Sequence, residues 1–103
     1  MTITLHTNDI PASLDLGASI AVDTEAMGLN NHRDRLCLVQ LSGGDGNAHL
    51  VRFDKGQYAA PNLRKLLGNP KTLKIFHFAR FDVAIIKHYL DVDCTPLYCT
   101  KIA

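Results

Sequence analysis

The chain contains a single glutamate, Glu25, two residues after Asp23 at the end of the apolar run Ser19-Ile20-Ala21-Val22-Asp23. If that run is a strand, side chains alternate across it, so Asp23 and Glu25 project from one face and Thr24 from the other. Two carboxylates side by side repel each other unless something positive sits between them. A hard divalent cation, Mg²⁺ or Mn²⁺, takes oxygen ligands and suits such a pair best. Ligands of α/β sheets also tend to bind at the C-terminal ends of strands. The plain alternative is two solvated acids with no task. A third acid, Asp82, follows the strand-like run Leu73-Lys74-Ile75-Phe76-His77-Phe78 and opens a helix. An aspartate there also serves the helix itself, by capping free N–H groups and favouring the dipole. If its strand lies beside the one bearing Asp23, as consecutive parallel elements tend to, Asp82 reaches the same ions.

The elements that must position these acids are well punctuated. Arg35-Leu36-Cys37-Leu38-Val39-Gln40-Leu41 is a second apolar run, and Ser42-Gly43-Gly44-Asp45-Gly46-Asn47 after it is a dense turn signal. Ala48-His49-Leu50-Val51-Arg52-Phe53 then alternates, which predicts an antiparallel hairpin. Pro61 suits a helix start, Leu63, Leu66 and Leu67 form its stripe, and Gly68 with Pro70 ends it. From Phe81 to Leu90 the spacing is again helical, with Phe81, Ala84, Ile85, His88 and Tyr89 on one side. Thr95-Pro96-Leu97-Tyr98-Cys99 reads as a last short strand, and Thr100 could cap a further helix. Strand–helix–strand alternation implies parallel crossovers, and the hairpin adds an antiparallel member, so the class is a mixed α/β sheet.

Composition sets broad limits. Apolar residues are 47% and charged residues 20% of 103, with a net charge of +1, so no strong field announces a nucleic-acid partner. No apolar run approaches the roughly 20 residues of a membrane span, and the first residues lack a secretory pattern, so no membrane partner is expected. Cys37, Cys94 and Cys99 show no pairing pattern and read as reduced thiols in a cytoplasm. They also lack the close spacing of a zinc site. Gly43-Gly44-Asp45-Gly46 lacks the Lys-Ser/Thr of a phosphate loop.

Taken in order, several stretches carry a resemblance. Ala21-Val22-Asp23-Thr24-Glu25-Ala26-Met27-Gly28-Leu29 resembles the first motif of the DEDD exonucleases, and His77-Phe78-Ala79-Arg80-Phe81-Asp82 resembles the second. Arg33-Asp34-Arg35-Leu36-Cys37-Leu38-Val39-Gln40-Leu41-Ser42 and Cys99-Thr100-Lys101-Ile102-Ala103 are similar to segments of ribonuclease D. The resemblance implies a ribonuclease H-like fold, a mixed sheet with its second strand antiparallel and flanking helices. It implies 3′→5′ hydrolysis of RNA by two divalent ions, with Asp23, Glu25 and Asp82 as catalytic metal ligands. Met27, Gly28 and Leu29 would line the terminal nucleotide, and His77 and Phe78 would lie near the 3′ end, although either could equally belong to the core.

The family pattern also has a third motif, with a further aspartate and a tyrosine, that has no match within these residues. A helix begun at Thr100 has only one turn, and two helices are few for about five strands. The expectation is therefore that residues 1–103 are the N-terminal portion of a single, C-terminally truncated exonuclease domain, inactive alone. Part of one sheet face would be uncovered, inviting self-association through apolar surface. Two other readings stay open. One is an exonuclease acting on DNA, and the other is a non-catalytic fragment that binds nucleic acid or protein.

Overall fold

The computed structural model describes residues 2–26, 35–44, 46–77 and 79–99. Six strands and two helices follow in the order β1 (Ile3–Thr7), β2 (Ser19–Ala26), β3 (Leu36–Ser42), β4 (Ala48–Arg52), α1 (Pro61–Leu67), β5 (Leu73–Phe76), α2 (Ala79–Leu90) and β6 (Leu97–Cys99). The strands form one sheet in the spatial order β1-β4-β3-β2-β5-β6. β3 runs antiparallel to both neighbours, β2 and β4. The pairs β1–β4, β2–β5 and β5–β6 are parallel. The mixed sheet and the hairpin are as the sequence predicts. The edge strand β1 is not foreseen there.

β2 shows why the sheet has two unlike faces. Ile20, Val22 and Thr24 are buried, whereas Ala21, Asp23 and Glu25 are exposed. Ile20 and Val22 join Val39, Leu41, Val51 and Phe76 in a core that also holds Leu63 and Leu67 of α1 and Ile85, Ile86 and Leu90 of α2. Each such side chain contributes roughly 1.5–3 kcal/mol on burial. Both helices therefore cover the face that carries Val22. On the Asp23 face, Ile3 and Leu5 are 61% and 60% exposed.

The inward stripe of α2 is Asp82, Ile85, Ile86, Tyr89 and Leu90, with His88 exposed. That is a turn-by-turn repeat displaced from the predicted one, and it includes the acid. α1 is held at its start from far away. Its N-cap residue, Ala60, offers no side-chain cap, and Asp9 accepts from the amides of Asn62 at 3.1 Å and Leu63 at 2.8 Å instead. Gly43 is required by a close approach, since a Cβ there would meet the Leu16 carbonyl oxygen at 2.3 Å.

Lys74 is fully buried in β5. Its ammonium donates to the carbonyls of Asn69 and Thr95, the latter at 2.8 Å, and so ties the turn before β5 to the segment before β6. Burial pushes its pKa below the ordinary lysine value. Lys74→Met keeps the volume but strands two carbonyls, a loss partly offset by removing a desolvated charge. Urea denaturation at pH 7 should show a loss of about 2 kcal/mol, and an unchanged midpoint would mean that the ammonium contributes nothing net.

Candidate active site

Asp23 and Glu25 lie on the exposed face of β2, near its C-terminal end. The register explains what surrounds them. β5 stops at Phe76, opposite Val22, so the next residues of β2 have no partner on that side. The chain passes from β5 through His77 into α2, whose first turn carries Asp82. Asp82 is only 6% exposed. Its carboxylate accepts a 2.5 Å hydrogen bond from the Thr24 hydroxyl, the side chain that points away from Asp23 and Glu25. Asp23 Oδ1 in turn accepts from the Thr24 amide at 2.9 Å.

Asp82 thus lies behind Thr24, and Asp23 and Glu25 project from the other face of the strand. Burial is the main reason that Asp82 holds its proton up to about pH 6, and the charges of Asp23 and Glu25 add to it against the opposing effect of the Thr24 bond. The carboxylates therefore feel one another. Among the described residues, no group of three His, Cys, Asp or Glu side chains is arranged to hold one metal ion. The physical reason is the inward turn of Asp82 onto Thr24. The donor set itself is all carboxylate oxygen and suits a hard divalent cation. Asp23 and Glu25 would hold it, and Asp82, fixed by its bond to Thr24, would support it from the helix.

A cavity of about 320 Å³ opens on the Asp23 face, with Asp23, Gln40, Ser42 and His77 among its lining residues. Gln40 stands opposite Asp23 in the β2–β3 register. Sequence reasoning did not single it out as a site residue, although its place in an alternating run beside the first motif was visible. His77 is exposed rather than part of the core. Met27, Gly28, Leu29 and Phe78 lie outside the described residues. Of the basic residues near the motifs, Arg35 is committed to the fold, donating to the Phe53 carbonyl at 3.1 Å. Lys87 pairs with Asp91 at 3.5 Å and Asp93 at 3.6 Å.

With the geometry in place, the likeness to known proteins is specific. Residues 6–103 match the profile of a family described as 3′-5′ exonuclease, and the chain belongs to that family. Ribonuclease D of Zymomonas mobilis is 33% identical over 84 residues, 82% of this chain and 22% of that protein. A structure of Brucella melitensis NrnC with bound Mg²⁺ superposes with a TM-score of 0.95 at 50% identity, over 99% of this chain and 51% of that one. The same nuclease bound to pGG superposes equally well, with a TM-score of 0.94 at 50% identity, over 99% of this chain and 50% of that one. Escherichia coli RNase D, at 23% identity and a TM-score of 0.65 over 81% of this chain and 22% of that one, shares the fold. The sheet and its two helices are thus those of the ribonuclease H-like exonucleases. The chain spans about half of NrnC and about a fifth of ribonuclease D.

Asp82 supplies a pH dependence with a definite sign. Its folded pKa, about 6, lies above the 3.8 of an ordinary aspartate. The associated stability is fully present below pH 3.8 and is lost as the pH rises through about 6. In EDTA at pH 8, Asp82→Asn should stabilise the fold by up to about 3 kcal/mol, an advantage that fades towards pH 4. Denaturant midpoints at the two pH values would test this, and a variant less stable than the wild type at pH 8 would contradict it.

Proposed function

We propose that this chain carries the first two acidic motifs of a 3′→5′ exoribonuclease active site that works with two divalent cations, Mg²⁺ or Mn²⁺. The observation that supports the reading is the bond of Asp82 to Thr24, the residue between the exposed Asp23 and Glu25 near the end of β2, in a chain of the 3′-5′ exonuclease family. When bound, such ions activate a water for in-line attack on the phosphodiester and stabilise the leaving 3′ oxygen. Asp23 and Glu25 hold them from the exposed face, and Asp82 supports them from the helix. The Thr24 hydroxyl sets the Asp82 carboxylate in place. In the family pattern Met27, Gly28 and Leu29 then flank the terminal nucleotide, and His77 and Phe78 lie near the 3′ end.

RNA is the substrate class that this reading favours, because the relatives are named ribonucleases and a 50%-identical neighbour holds pGG. In the family pattern residues 1–103 match the part that carries the first two acidic motifs, and the chain spans about half of NrnC. The three cysteines, none of them in a disulfide, suit a reducing compartment such as the cytoplasm.

Two measurements test the proposal. Calorimetric titration of the 103-residue chain with Mn²⁺ should give a binding heat that Asp23→Ala removes, and an unchanged heat would favour a non-catalytic role. In the protein carrying its whole coding sequence, Asp23→Ala and Glu25→Ala should each lower Mg²⁺-dependent cleavage of pGG and of 5′-labelled RNA. The loss should exceed the roughly 10–100-fold typical of losing a supporting partner of a metal site. Matched DNA oligomers cut faster than RNA would overturn the substrate assignment, and activity retained in both variants would overturn the site.

A further inference from the structure

β1 is an edge of the sheet, and β4 is its one strand neighbour. His6 of β1 and His49 of β4 meet across that pair, His6 Nε2 lying 3.1 Å from His49 Nδ1. The ring planes are within 19° of each other and the centroids are 5.3 Å apart. With the contacting nitrogens so much closer than the centroids, each nitrogen lies nearly on the line joining the two rings. The imidazoles are therefore end to end, not face to face, and one N–H points at the other ring's lone pair. This contact requires one bare nitrogen. It tolerates a neutral pair or a single positive charge and excludes two charges. A transition-metal ion does not fit between the rings, because it would sit about 2 Å from each nitrogen, and the gap here is 3.1 Å.

The surroundings leave the pair to its own charge. Opposite His6 in the register is Val51, and opposite His49 are Thr4 on β1 and Leu41 on β3. Arg52 and Asp54 pair with each other at 3.4 Å. Asp54 also accepts from the Asn8 side-chain amide at 3.3 Å, and Asp9 is bound to the first amides of α1. Burial and, after it, the charge of His49 push the His6 pKa below its ordinary value.

We propose that the His6–His49 pair is an acid-sensitive latch that holds β1 on the sheet, and that placing a proton on both rings releases the strand. The strand leads directly into Asn8, whose amide donates to the Arg52 carbonyl at 2.7 Å, and then into Asp9. Release of β1 therefore loosens the long-range cap of α1 and uncovers the outer edge of β4, which becomes open to pairing with another chain. Folding lowers the His6 pKa, so the latch is fully closed above pH 6.5 and weakens as the pH falls below it.

Hydrogen exchange of the whole chain, corrected for intrinsic rates, reads this directly. Between pH 6.5 and 5, protection of the β1 amides should fall as the pH falls, by up to about tenfold per pH unit, the limiting slope for one extra proton taken up on opening. The amides of β3 and α2 should hold. In His6→Gln, which keeps a hydrogen-bonding group without the second charge, β1 protection should no longer fall. Proton NMR of the histidine rings gives a second reading, with His6 titrating below 6.5 in the wild type and moving up in His49→Gln. Protection of β1 that does not change with pH in the wild type overturns the proposal. So does a His6 titration at or above 6.5 in the wild type, which needs no variant to fold.

Discussion

The hydrogen bond from Thr24 to Asp82 is the contact on which the site rests. It joins the strand that bears the first two acids to the helix that bears the third, and it does so from the buried side of the sheet. The pleat of β2 makes this possible. Alternation sends Asp23 and Glu25 to the open face and Thr24 into the core, so one three-residue segment addresses both sides of the sheet at once. The early end of β5 leaves room for the first turn of α2 to come in behind it. Burying a carboxylate near two others is costly, and the proton that Asp82 holds up to about pH 6 expresses that cost. A cation bound beside these acids would relieve that repulsion.

The rest of the sheet serves this arrangement by fixing its ends. Lys74, buried in β5, ties the turn that enters that strand to the segment that enters β6. Asp9 fixes the start of α1 from the N-terminal segment. Each is a long-range polar contact made by a residue whose type usually favours solvent, and each holds a connection next to the β2–β5–α2 corner or the helix layer behind it. The apolar core supplies the general drive to fold. These few polar contacts decide where the loops go.

Much of this was legible in the sequence where signal and burial have the same period. The alternation of Ile20, Val22 and Thr24 with Asp23 and Glu25, the glycine-rich turn between β3 and β4, and the Pro61 to Gly68 bounds of α1 all follow local rules. What was not legible depends on partners far away. β1 has just two alternating apolar residues, Ile3 and Leu5, too short a pattern to mark a strand, and its strand partner lies some 45 residues on. Lys74 interrupts an apolar run and gives no local hint of the carbonyls that satisfy it. The cap of α1 comes from Asp9, not from its own N-cap residue. Asp82 reads locally as an acid at a helix start, but its inward position is legible too, because it falls three and four residues before the buried Ile85 and Ile86.

The most direct test of the account is a Mg²⁺ titration of the 103-residue chain followed by the side-chain carboxyl carbon signals of its acids. If the acids share one cation site, the carboxyl signals of Asp23, Glu25 and Asp82 should shift together along one binding curve. Shifts of Asp23 and Glu25 with the Asp82 carboxyl unmoved would contradict a common site and leave the helix acid as a structural group alone.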